Sequence, residues 1–121
     1  MLHADMDRQA LLRATTIGTV LQVIMVVAGH YLPALRDPGF AIGGMALSAL
    51  AGWLFARATP GSTWGPALGG GAIAGGVSAI IGIAVSVLFG DVPASLLALG
   101  TVASAATGAG GAVLARILRG R

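Results

Sequence analysis

Two side chains offer the most chemistry in this sequence, and both belong to its first long apolar run. His30 stands near the end of that run beside Tyr31, and Gln22 lies deep inside it. A histidine can bind a metal, ligate haem or relay protons. A second ligand is missing, because the other histidine, His3, lies toward the opposite end of the run. We therefore interpret His30 as a histidine at a membrane interface and expect no metal site and no cofactor.

Gln22 carries an amide that needs a hydrogen-bond partner wherever water is excluded. We expect that partner to be a serine hydroxyl or a free carbonyl on a neighbouring helix, and solute binding is the less favoured alternative. Five hydroxyl side chains stand inside the later apolar runs: Ser48, Ser78, Ser86, Ser104 and Thr107. They can either line a narrow polar path or bond carbonyls of their own helices.

Catalytic patterns are weak in this chain. A serine nucleophile needs a base within reach, and although Ser86 and Asp91 fall toward the same end as His30, no spacing requires a triad. The segment 69–74, GGGAIA, meets the loose form of the dinucleotide-binding fingerprint, but no strand precedes it and no acidic partner follows. A P-loop is excluded because the chain has no lysine. We expect no catalytic residues and no enzymatic activity.

The composition indicates a membrane protein. Of the 121 residues, 56% are hydrophobic and only 9% are charged, whereas soluble domains carry about 25% charged residues. There is no cysteine, which excludes disulfides and thiolate metal sites. The net charge of +3 is small and the arginines flank the apolar runs, so we expect no nucleic-acid partner. No charged residue lies deep in a run, which argues against ion-coupled transport.

Four apolar runs predict four transmembrane helices, at residues 14–32, 40–56, 67–90 and 94–115. Their lengths lie around what is needed to cross the hydrocarbon core, and a backbone in lipid must satisfy its own hydrogen bonds as a helix. Proline and glycine separate the runs. We expect one integral membrane domain over residues 1–121. A cleavable signal peptide at the N-terminus is the less favoured alternative.

The arginines predict the orientation of the spans. Six of them fall on one side of the predicted membrane: Arg8, Arg13, Arg57, Arg116, Arg119 and Arg121. Only Arg36, next to Asp37, falls on the other side. Positive residues favour the cytoplasmic side, so both termini are expected in the cytoplasm.

Small residues recur every three or four positions in the last three runs. The second run carries Gly44, Ser48, Gly52 and Ala56; the third carries Gly71, Gly75, Ser78, Gly82, Ser86 and Gly90; the fourth carries Gly100, Ser104, Gly108 and Ala112. Such stripes let membrane helices approach closely. The predicted fold is an all-α, polytopic four-helix transmembrane bundle with glycine and serine packing faces. The bulkier first helix is expected to lie outside the others and to face lipid most.

These features predict a small, non-enzymatic protein of the bacterial inner membrane, acting as an accessory component that binds lipid or another membrane protein. The alternative is a homo-oligomeric channel, a holin-like pore or a small-solute transporter, in which one small-residue stripe is used between copies. A transporter should carry charge within the membrane and a pore should carry a polar face, whereas an accessory component needs neither.

Overall fold

The computed structural model describes residues 2–36 and 39–119 and, within these ranges, is helical without strands. Five helices follow in order: α1 (Leu2–Tyr31), α2 (Pro33–Arg36), α3 (Gly39–Ala58), α4 (Trp64–Leu88) and α5 (Leu96–Arg119). Asp37, Pro38 and Arg121, which entered the predicted loop and orientation, lie outside the described residues, as do the side chains of His3 and Arg36.

Four helices are long and apolar enough to cross a membrane: Asp7–Tyr31 within α1, and the whole of α3, α4 and α5. The predicted all-α bundle of four spans is confirmed, and it fits a small multi-pass membrane protein. The one element that the apolar runs did not predict is α2, a single turn at the start of the first connection.

The first helix begins at Leu2, well before residue 14, where the predicted span begins. The apolar run stops at Arg13, but the helix continues since Ala10 and Ala14 pack against Ala51 and Phe55 of α3. Packing against α3 therefore accounts for the turn around Ala10, which hydropathy does not predict.

The third span is shifted toward the N-terminus, from the predicted 67–90 to Trp64–Leu88. Pro66 lies in the first turn of α4, where the missing N–H costs no helical hydrogen bond. At the other end Gly90 has φ +78°, and its N–H bonds the Val87 carbonyl while the Asp91 N–H bonds the Ser86 carbonyl. This is a Schellman ending, which favours glycine at the left-handed position.

The helices form a bundle in which α3, α4 and α5 all contact one another, and α1 contacts α3 and α4 but not α5 within the described ranges. We call the end where α1 and α4 finish and α3 and α5 begin the His30 end, and the opposite end the Trp53 end. As predicted, α1 lies against the outside of the other three. The share of its span that α1 buries equals that of α3 and is close to that of α5, so burial does not single out α1 as the helix that faces lipid most. One face of α5 packs against two helices, which leaves its opposite face bare.

Candidate functional site

Gln22 joins α1 to α3 in the interior of the bundle. Its side-chain Nε2 donates hydrogen bonds to the Gly44 carbonyl at 3.0 Å and to Ser48 Oγ at 3.1 Å. The residue is 3% exposed, and on its other side it packs against Gly82, where a Cβ would lie 2.9 Å from the Gln22 Cβ. The amide thus has the kind of partner that the sequence predicted, one serine and one main-chain carbonyl.

His30 and Asp91 meet at the His30 end. The His30 Nδ1 lies 2.9 Å from Asp91 Oδ2, and the Asp91 side chain is only 6% exposed. The turn at Gly90 brings Asp91 back toward α1, and the Phe89 ring lies 4.6 Å from the His30 ring. The sequence placed both residues at one end of the bundle, but it assigned His30 to the headgroups rather than to a carboxylate.

Ser86 has no catalytic partner in the part of the chain that the structure describes. It is 2% exposed, and its Oγ has no hydrogen-bond partner among the residues that the structure describes. His30 is therefore not hydrogen-bonded to this hydroxyl. Since an activated serine requires a base at hydrogen-bond distance, the arrangement lacks the first contact of a nucleophile–base pair.

Three of the other four hydroxyls of the predicted polar path make hydrogen bonds within the bundle. Ser78 Oγ donates to the Ala74 carbonyl at 2.7 Å, and Thr107 Oγ1 donates to the Ser104 carbonyl at 3.0 Å. Ser48 accepts from Gln22. Because most of these hydroxyls already make hydrogen bonds, they do not form a continuous row of free hydroxyls.

At the Trp53 half of the bundle, the glycine stripes bring main chains into direct contact. We call this contact region the small-residue core, and it consists of Gly52, Gly71, Gly75, Gly108 and Gly111. A Cβ at Gly75 would lie 2.8 Å from the Gly108 Cα and 2.9 Å from the Ser104 carbonyl oxygen, and one at Gly52 would overlap the Gly108 carbonyl. No side chain fits at these positions, so α3, α4 and α5 meet backbone to backbone.

In the His30 half of the bundle, the glycines of the stripes pack against side chains of neighbouring helices rather than against main chain. Gly44 faces Gln22 and Met25, and a Cβ at Gly100 would lie 2.7 Å from Ile83 Cδ1. The helices are held further apart here. Sequence spacing alone did not distinguish these glycines from those of the small-residue core.

A cavity of about 230 Å³ lies between the helices in this half, and we call it the lateral cavity. Its lining is almost entirely apolar, and the polar side chains that reach it are Gln22, Ser86 and Ser104. The lining also includes Met45 of α3 and Leu99 of α5, which are 42% and 71% exposed. The cavity is therefore open beside these exposed residues of α3 and α5, two helices that are long and apolar enough to cross a membrane.

At the Trp53 end, two arginine side chains of α5 donate hydrogen bonds to main-chain carbonyls near the end of α3. Arg119 donates from Nη2 to the carbonyls of Ala56 at 2.9 Å and Arg57 at 2.7 Å, at the negative end of the α3 dipole. Arg116 bonds the Ser62 carbonyl and lies 4.5 Å from the centre of the Trp64 ring. These contacts tie the end of α5 to the α3–α4 connection, which the sequence did not predict.

The described part of the chain holds no group of three or more His, Cys, Asp or Glu side chains that could bind a metal ion. Comparisons of this chain with protein-family models, with curated proteins and with solved structures find no match. Any function must therefore be inferred from the geometry of the bundle itself.

Proposed function

We propose that this chain is a non-enzymatic, multi-pass membrane component that binds lipid or a membrane partner within the plane of the bilayer. The observation that carries the proposal is the lateral cavity, which is apolar and open beside exposed residues of α3 and α5. A component of this kind requires a binding surface, and it requires neither a reactive group nor a path across the membrane.

The small-residue core supports a closed bundle rather than a pore through one copy. Gly52, Gly71 and Gly75 contact the main chain of Gly108 so closely that no water-filled passage fits between them. The competing proposal is a homo-oligomeric channel, a holin-like pore or a small-solute transporter. Because the small-residue core closes the interior of one copy, this competing proposal requires a path that runs between copies.

The absence of a base at Ser86 supports the non-enzymatic part of the proposal. The buried polar side chains of the described bundle are one glutamine, several serine and threonine residues, and the Asp91 carboxylate, which contacts His30 rather than Ser86. Such groups bind through hydrogen bonds, and without an adjacent base they are poor nucleophiles.

We further propose that the protein resides in a bacterial inner membrane with both termini in the cytoplasm. Arg57, Arg116 and Arg119 lie together at the Trp53 end, close to Trp53 and Trp64. Clustered arginine favours the cytoplasmic side, and tryptophan favours the membrane boundary.

A flux assay separates the proposal from its competitor. Purified protein is reconstituted into vesicles with a preset potassium or proton gradient, next to vesicles that contain a known pore-forming peptide. We expect the gradient to persist at protein densities at which the peptide dissipates it. Rapid dissipation by this protein would make the pore the better account.

A further inference from the structure

Four buried hydroxyls of the described chain have no hydrogen-bond partner, those of Ser86, Thr15, Thr19 and Thr101, and of these Ser86 is the one that lines the lateral cavity. Most buried polar side-chain atoms in proteins have at least one hydrogen-bond partner, and leaving one unmade inside lipid has no compensation from water. Ser86 lines the lateral cavity, yet its Oγ contacts no acceptor in the described chain. Ser78 lies on the same helix, but its hydroxyl donates to a main-chain carbonyl of that helix. The free hydroxyl of Ser86 therefore points to an acceptor supplied from outside the chain.

The depth of Ser86 indicates the chemistry of that acceptor. Ser86 lies about 3 Å from the end of α4 at 1.5 Å per residue, while Gln22 lies about 13 Å from the end of α1 at the same rise. The hydroxyl is thus near the boundary of the membrane, and the rest of the cavity runs toward its middle. In a glycerolipid the ester carbonyls lie at that boundary and the acyl chains run inward.

The walls of the cavity suit a hydrocarbon chain. Between Ser86 and the inner part of the cavity the lining is supplied by Ile83, Leu99, Gly100 and Ala103. The exposed Leu99 and Met45 at its opening lie on helices that can cross the membrane. A lipid can therefore enter sideways without passing through water.

We propose that the lateral cavity binds one acyl chain of an ester-linked membrane lipid, and that Ser86 Oγ donates its hydrogen to the ester carbonyl. This inference rests on the proposed function and narrows its ligand to one chemical class. Ser86 selects the ester, the apolar lining holds the chain, and the lipid headgroup stays at the His30 end.

A crosslinking experiment tests the site. The full chain is reconstituted into vesicles of phosphatidylethanolamine and phosphatidylglycerol with a trace of phosphatidylglycerol that carries a photoactivatable diazirine on one acyl chain. After irradiation, labelled residues are mapped by mass spectrometry. We expect saturable labelling around Leu99 and Ala103 that Ala103→Leu abolishes by filling the cavity. Ala106→Leu, on the exposed face of the same helix, is the matched control and should label like the wild type.

The hydrogen bond has its own readout, the preference for an ester over an ether-linked probe of the same chain length. An ordinary hydrogen bond corresponds to a preference of roughly three- to tenfold. We expect this preference in the wild type and in Ser86→Thr, which keeps the hydroxyl, and its loss in Ser86→Ala. Ser78→Ala is the matched control, because Ser78 is bonded within its own helix.

Two results would overturn the inference. One is equal labelling of the cavity residues in the wild type and in Ala103→Leu. That result would mean that the probe reacts from the protein surface or from a contact with a second copy. The other is an ester preference that survives Ser86→Ala. If Ala103→Leu does not fold, Gly44→Ala narrows the same cavity, since a Cβ there lies 3.7 Å from Gln22 Oε1, an ordinary contact. Either result leaves the proposed function standing as long as the vesicles hold their gradient.

Discussion

His30 Nδ1 lies 2.9 Å from Asp91 Oδ2, and this contact joins the end of α1 to the connection between α4 and α5. The carboxylate is buried, and the Schellman ending at Gly90 presents it to the histidine. The pair joins α1 to that connection at the His30 end, in the half of the bundle that contains the lateral cavity. Its role in the structure is to hold α1 against the turn that follows Ser86.

Replacing Asp91 with asparagine should lower the stability of the bundle. Asp91→Asn keeps the size of the side chain and an acceptor oxygen but removes the charge, so the expected loss is the difference between a charged and a neutral hydrogen bond, about 1 kcal/mol. The free energy of unfolding, measured by denaturant titration in micelles, should fall by about that amount. Ser95→Ala, at an exposed serine of the same connection, should change it little. Equal stability of Asp91→Asn and the wild type would mean that the contact contributes nothing.

The small-residue core predicts a sharp contrast between two glycines of α5. In Gly108→Ala the new methyl group would overlap the Gly71 carbonyl, whereas at Gly110 a Cβ meets nothing within 4 Å. We expect Gly108→Ala to separate the helices and to cost about 1–3 kcal/mol or more, as overpacking does. Gly110→Ala should be neutral or slightly stabilising, because alanine is the better helix former.

Thermal unfolding of the two glycine variants, followed by circular dichroism in the same detergent, provides the comparison. Equal melting temperatures would show that α3, α4 and α5 do not approach as closely as the structure indicates.

Gln22 predicts a coupling between α1 and α3. Gln22→Leu removes both hydrogen bonds of Nε2, and Ser48→Ala removes one of their acceptors. Interhelical hydrogen bonds in membranes contribute about 0.6 kcal/mol on average and up to about 2 kcal/mol. The double variant should therefore lose less stability than the two single variants do together. Strict additivity in a double-mutant cycle would indicate that the two side chains do not interact.

The apolar runs were sufficient to predict four spans, because length and hydropathy decide whether a helix can cross a membrane. They were not sufficient for the helix ends. α1 continues past Arg13 since Ala10 and Ala14 find contacts on α3, and α4 stops before Gly90 because that residue adopts a positive φ. Both outcomes depend on contacts or turns that a hydropathy pattern does not contain.

The candidate site was predictable only in part. A buried amide requires a partner, so the neighbours of Gln22 could be expected by type. Gly44, Gly52 and Gly108 all belong to stripes with the same four-residue spacing. Gly44 nevertheless packs against side chains, whereas Gly52 and Gly108 contact main chain. The lateral cavity is a space that the side chains leave empty, so it depends on the angles between helices and has no signature in a sequence.

The orientation has a direct test. A reporter enzyme that is active only outside the cytoplasm, fused after Arg121, should stay inactive, because the arginines at the Trp53 end favour the cytoplasm. The same reporter fused within the connection that contains Asp91 should be active. Activity at the C-terminal fusion would reverse the proposed topology.

The central claim is that one copy of this bundle holds lipid in its lateral cavity. Native mass spectrometry of the protein, extracted gently from membranes, tests it most directly, with Ala103→Leu and Ala106→Leu measured alongside. The account predicts a monomer that retains one lipid in the wild type and in Ala106→Leu but loses it in Ala103→Leu. A defined homo-oligomer without retained lipid would contradict it and favour the pore.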